Sequence, residues 1–234
     1  MSSDKDFSKL QTKIATKFTN QDLLKQAFIH RSYLNENRGF PLDHNERLEF
    51  LGDAVMELVV TEHLYKNYPN PEGELTNWRS SLVNGRMISS VAKKLGFEDY
   101  LYLSHGEQRD QGRARDLILA NCFEAVIGAI YLDQGFGAAQ KFIHKNLVGE
   151  LPKIIEAQLY RDPKSQFQEI SQEKSGVTPT YKVLSETGPD HNKHFVVGAY
   201  IKEEKAGEGT GPSKQAAQID AAADALKKKG WNNG

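Results

Sequence analysis

A single cysteine, Cys122, excludes any disulfide within the chain. No apolar run approaches the roughly 20 residues needed to cross a bilayer, and Met1-Ser2-Ser3-Asp4-Lys5-Asp6 lacks the basic and apolar regions of a secretory leader. These absences set the expectation of a reducing, cytoplasmic setting with no membrane partner. A basic surplus is missing as well: 30 Lys and Arg stand against 31 Asp and Glu, a formal net charge of −1. From residue 162 onward ten lysines and no arginine face ten acids. Bulk charge therefore gives no sign of a polyanionic partner, and only local clustering can supply one. Internal repeats and low-complexity tracts are also absent. What is present, 38% hydrophobic and 26% charged residues, describes a globular chain with room for one large and one small domain.

Within His44-Asn45-Glu46-Arg47-Leu48-Glu49-Phe50-Leu51-Gly52-Asp53-Ala54-Val55, three carboxylates, Glu46, Glu49 and Asp53, recur at spacings of three and four. At about 3.6 residues per turn they share one helical face. Leu48, Leu51, Val55 and Leu58 repeat on another face, which is expected to be the buried one. Gathered anions repel one another and ask for a hard cation such as Mg²⁺, although a solvated acidic face has the same spacing. A second segment, Leu117 to Ile130, holds Asn121 and Glu124 three apart in a run otherwise nearly free of polar groups. Unpaired carboxylates rarely sit deep in a core. Packing of this helix on the first brings Asn121 and Glu124 together with Glu49 and Asp53. Cys122, in the same run, reads as a packed small side chain.

The run Asn45-Glu46-Arg47-Leu48-Glu49-Phe50-Leu51-Gly52-Asp53 resembles the signature of the ribonuclease III family. The likeness continues through Leu23-Leu24-Lys25-Gln26-Ala27-Phe28-Ile29-His30-Arg31-Ser32-Tyr33, Glu72-Gly73-Glu74-Leu75-Thr76 and Ala125-Val126-Ile127-Gly128-Ala129-Ile130-Tyr131-Leu132-Asp133. Helical patterning runs to about residue 160, with punctuation at Pro69 to Gly73, Gly96, Gly106 and Gly112. After Leu159 the character changes. Pro163 suits the first turn of a new helix. Strand-like runs at Thr180 to Thr187 and His194 to Ile201, a short third strand near Lys205 to Gly209, and a helix from Ser213 to Lys229 complete an α-β-β-β-α order.

This second module resembles the double-stranded RNA-binding domain. Ser165, Gln168 and Glu169 match positions that meet 2′-hydroxyls and base edges in the minor groove of A-form RNA, and His191 matches the loop residue that enters a second minor groove. Gly209 to Ala217 sets glycines read as flexible before a helix N-terminus, where Ser213, Lys214 and free N–H groups can meet phosphates. The family usually has two basic residues after the serine, and Gln215 replaces the second here. Lys227-Lys228-Lys229 reads as a solvated helix end.

The expected architecture is an all-α endonuclease domain over 6–158, a linker over 159–162 and an α+β double-stranded RNA-binding domain over 163–231. The resemblance implies metal ligation by Glu49, Asn121 and Glu124, with Asp53 as the second essential carboxylate beside Glu124. Glu46 and Glu72 match further acidic positions, and Arg109 and Arg113 are candidates for contact with the RNA backbone. It further implies Mg²⁺-dependent hydrolysis of both strands of duplex RNA, with Mn²⁺ a possible substitute and no small-molecule cofactor. A homodimer is implied, with Phe50 packing into the partner, although a core phenylalanine has the same sequence surroundings. Asn121 departs from the family's usual Asp and predicts a raised metal requirement. A catalytically weakened duplex-RNA-binding regulator remains the alternative.

Overall fold

The computed structural model describes residues 5–156, 158, 160, 162–189 and 193–231. Met1–Asp4, His191, and Leu159 and Arg161 of the expected linker lie outside the described residues. The chain divides into two compact units, Met1–Tyr160 and Arg161–Gly234.

Helices build the first unit: α1 Ser8–Ile14, α2 Gln21–Ala27, α3 Arg31–Glu36, α4 Glu46–Asn67, α5 Glu72–Val83, α6 Gly85–Leu95, α7 His105–Arg109, α8 Arg113–Gln134, α9 Phe136–Asn146 and α10 Leu151–Glu156. None of the described helices is long and apolar enough to cross a membrane. The two 22-residue helices, α4 and α8, pack backbone against backbone. A Cβ on Gly52 would lie 1.8 Å from the Glu124 carbonyl oxygen, and one on Gly128 would lie 2.2 Å from that of Leu48. Only hydrogen fits at either place.

The buried stripe of α4 is Leu48, Gly52, Val55, Met56, Val59, Val60 and Leu64. Leu51 is only half-buried and Leu58 is 58% exposed, which corrects the expected core face. The glycine seam rotates α4 so that Gly52, rather than Leu51, meets α8. The stretch from Gly106 to Arg115, punctuated by glycines in the sequence, also contains more structure than those glycines suggest. α7 occupies His105–Arg109, Arg113 opens α8, and Arg115 Nη2 donates to the carbonyls of Glu107 and Gln108 at 2.8 and 3.2 Å. Gly73 lies inside the first turn of α5 instead of ahead of it.

In the second unit α11 (Pro163–Ser175) precedes β1 (Thr180–Thr187), β2 (His194–Ile201), β3 (Glu204–Gly211) and α12 (Lys214–Lys228). Asp162 caps α11 by accepting from the Ser165 N–H, and Pro163 takes the first turn, where its missing N–H is harmless. The sheet is antiparallel in the order β1-β2-β3. β3 is longer than the expected short strand, and its glycines are packing positions rather than flexible ones. A Cβ on Gly207 would lie 2.4 Å from the Ala221 carbonyl oxygen, and one on Gly209 would lie 2.0 Å from the Ala221 nitrogen. Ala217, Ala221, Ala222 and Ala225 of α12 are fully buried against this bare backbone. Asp220 and Asp224 accept from the Thr210 and Glu208 N–H groups, each at 2.8 Å, and so close the outer edge of β3.

Gly52→Ala is expected to lower the unfolding free energy by about 3 kcal/mol, because the clash is with main chain that cannot rotate away. Gly209→Ala is expected to unfold the second unit selectively. Gly137→Ala, with nothing within 4 Å of the added carbon, should hold or raise stability. Urea unfolding monitored by circular dichroism checks all three, and equal midpoints for Gly52→Ala and Gly137→Ala would remove the seam from the account.

Candidate active site

The α4–α8 seam places the acidic face of one helix beside Glu124 of the other. Gly52 precedes Asp53, and its hydrogen lies against the Glu124 backbone. Burial, then the charges of Asp53, Glu49 and Glu57, pushes the half-buried Glu124 carboxyl up to about 8. Burial together with Glu46 and Asp53 raises Glu49 as well. Asp53 itself is exposed. Asn121 stands one turn ahead of Glu124 on α8 and is half-buried. Four of the sequence-expected residues, Glu49, Asp53, Asn121 and Glu124, therefore lie on the two helices that meet at this seam.

Two contributors escaped the sequence reading. Glu57 continues the four-residue spacing of Glu49 and Asp53, a signal available in the sequence, and pairs with Arg79 Nε at 3.3 Å. Asn45 is a buried anchor: its side-chain amide donates to the Ala27 carbonyl at 3.1 Å and its N–H to that of Ile29 at 2.9 Å. This fixes the start of α4 and hence Glu46 and Glu49. Periodicity does not reveal such a role, since the partners Ala27 and Ile29 belong to an earlier part of the chain.

The remaining acids are placed differently. Glu46 is exposed, 3.4 Å from Arg31 and 3.8 Å from His44. Glu72 opens α5 in a groove with Thr61, Tyr65, Tyr68 and Arg79, and accepts from Thr76 Oγ1 at 2.9 Å. It is not among the carboxylates that raise Glu124. Phe50 is 82% exposed and is no core residue of its own unit. Cys122 is fully buried, and burial pushes its thiol well above its ordinary range, so it is a packed and unreactive group.

In the second unit Ser165, Gln168 and Glu169 lie exposed on α11. The Ser165 hydroxyl donates to the Asp162 cap at 2.9 Å. Ser213 caps α12 by accepting from the Ala216 N–H at 3.1 Å, and Lys214 Nζ stands 5.8 Å from the centre of the Phe195 ring. Of the terminal lysines, Lys228 pairs with Asp224 at 2.7 Å and Lys229 with Glu204 at 2.8 Å, as a solvated helix end would.

The donor set is all oxygen, and the charges acting on Glu124 are all negative. That repulsion fits a hard divalent cation, which takes a few carboxylate oxygens and fills the rest of its shell with water and phosphate. Among the described residues no three His, Cys, Asp or Glu side chains already form a group able to hold a metal. The acids are thus close neighbours rather than a finished cage.

A family model described as Ribonuclease-III-like matches residues 20–151, and one described as Double-stranded RNA binding motif matches residues 163–229. Ribonuclease 3 of Desulforamulus reducens is 44% identical over 225 residues, covering 96% of this chain and 92% of the relative. Ribonuclease 3 of Nitratiruptor sp. is 43% identical over 224 residues, covering 95% and 96%. The solved nuclease domain of ribonuclease III from Campylobacter jejuni, described for its flexibility in a region involved in dimer formation, matches with a TM-score of 0.54 at 36% identity. That match spans 60% of this chain and 98% of the other. The chain belongs to the ribonuclease III family, as a helical nuclease joined to a double-stranded RNA-binding domain.

Proposed function

We propose that this nuclease cuts both strands of duplex RNA by Mg²⁺-dependent hydrolysis, leaving 5′-phosphate and 3′-hydroxyl ends with short 3′ overhangs. The observation that carries this reading is the Glu124 carboxyl, half-buried at a two-helix seam and pushed up to about 8 by burial first and by the neighbouring carboxylates next. When bound, the metal supplies an acidified water for attack at phosphorus and stabilises the leaving oxygen. Glu49 and Glu124 offer carboxylate oxygens, Asn121 offers its amide oxygen, and Asp53 provides the second essential carboxylate. Glu46 and Glu72 extend the acidic surroundings. Mn²⁺ is the expected substitute.

The RNA-binding domain, assigned to 163–231 beyond a linker over 159–162, reads A-form geometry through Ser165, Gln168, Glu169 and His191. Ser213 and Lys214 meet phosphates. The endonuclease domain is assigned to 6–158 and works as a homodimer, one cutting site per strand. Support comes from one face of α4, where Phe50, Leu58 and Tyr65 are 82%, 58% and 80% exposed at helical spacing. Cytoplasmic processing of ribosomal RNA precursors and structured messengers is the proposed role.

A perfect RNA duplex of a few helical turns, incubated with and without Mg²⁺, tests the reading. Staggered Mg²⁺-dependent cuts are expected, reduced about 10²-fold or more in Glu124→Gln. An intact but gel-shifted duplex would instead establish the non-cutting regulator. Asn121→Asp restores a negative charge and is expected to lower the Mg²⁺ concentration for half-maximal cleavage about 3- to 10-fold. An unchanged metal titration would refute a raised metal requirement.

The charge cluster also sets a pH dependence of stability. The Glu124 carboxyl titrates near 4.5 when unfolded and near 8 when folded, so the native state holds the proton more tightly between those values. Its contribution to stability is complete below the lower value and is lost as pH rises through the upper one, and Glu49 acts in the same direction. In chelator, the melting temperature should fall between pH of about 5.5 and 8.5. Glu124→Gln should flatten that fall and be the more stable protein at the alkaline end; an equally steep fall would show that Glu124 does not cause it.

A further inference from the structure

Away from the acids, the C-terminal half of α4 meets α9 through two histidines. The His63 and His144 rings lie edge to face, with centroids 5.0 Å apart and planes at 85°. Both are half-buried. Two imidazoles that share a tetrahedral ion at the usual nitrogen–zinc distance of about 2.0–2.1 Å have ring centres roughly 5 Å apart. The observed separation is of that size, and turning the rings about their side-chain bonds is what would bring one nitrogen of each onto a common ion. An anion stands next to the pair: Glu62 accepts from Lys66 Nζ at 2.6 Å and from Gln140 Nε2 at 3.0 Å. Lys66 holds the Glu62 carboxyl below its usual range, with a smaller pull from His144.

We propose that His63 and His144 form a bidentate site for a borderline transition-metal ion of the Zn²⁺, Ni²⁺ or Cu²⁺ class, with Glu62 as its neighbouring anion. Imidazole nitrogen selects these ions over Mg²⁺, whereas the oxygen donors of the active site do the reverse. Burial, and next His144, lowers the His63 pKa, which keeps its imidazole neutral and free to ligate near neutral pH. Among the described residues no third His, Cys, Asp or Glu completes a ready-made group, so water fills the shell and the site belongs to the weak, exchangeable class. An ion here joins α4 to α9, fixing the far end of the helix that carries Glu49 and Asp53.

Calorimetric titration of the full chain with NiCl₂ under excess Mg²⁺, which keeps the oxygen site occupied, tests the assignment. Wild type and Glu124→Gln are expected to bind one Ni²⁺ per chain beyond any site shared with Mg²⁺. Each should show a melting temperature raised by about 3–5 °C. His144→Gln and His63→Gln should lose both the binding step and the rise, with unchanged circular dichroism showing that the fold persists. Nickel binding undiminished in His144→Gln, or no such binding in wild type, overturns the site. If one histidine variant alone fails to fold, the other decides.

Discussion

Direct contact between the backbones of α4 and α8 at Gly52 and Gly128 is the constraint on which the nuclease unit depends. It is a steric requirement first. Any side chain at these positions would push the helices apart by the thickness of a methyl group or more, and the core stripe of α4 would lose its contacts with α8. The same closeness is the origin of the electrostatics. Glu124 feels Asp53, Glu49 and Glu57 because the helices touch where those residues lie. Packing energy from Val55, Met56 and Val59 thereby holds like charges together against their repulsion, and a cation relieves what packing only contains. Fold and site are in this sense one structure.

Much of this was legible in the sequence. The signature from Asn45 to Asp53 and the polar pair Asn121 and Glu124 in an apolar run pick out the two helices that meet at the seam. The strand runs of the second unit likewise appear where β-branched and aromatic residues cluster. What escaped shares one cause. Leu58, Gly207 and Gly209 take their places from the neighbouring element, and a pattern read along one segment contains no information about the partner. Leu58 fits the apolar repeat of α4 yet points outward because the seam sets the helix rotation. Glycines that elsewhere mark flexible loops are here the flat surface on which α12 rests. Asn45 belongs with them, since its amide serves a carbonyl distant in sequence.

The near-zero net charge is less puzzling once the surface is described. Lysines of the second unit are balanced locally, as in Lys205 with Glu208 and Lys228 with Asp224. Recognition of a polyanion then depends on a few positioned groups, with helix caps and shape in support, rather than on a general basic field. Gln215 follows the same economy, presenting an uncharged side chain where the family carries a cation.

The pair of carboxylates on α12 that take the outward N–H groups of β3 has a further consequence for behaviour at high concentration. A sheet edge with unsatisfied donors invites another chain to add a strand, and successive additions lead to fibres. With Glu208 and Thr210 already bound to Asp224 and Asp220, that edge offers an incoming strand neither donor. The glycine-rich strand, whose lack of side chains would otherwise leave its backbone open to such pairing, is thus protected against assembly by the helix that made the glycines necessary.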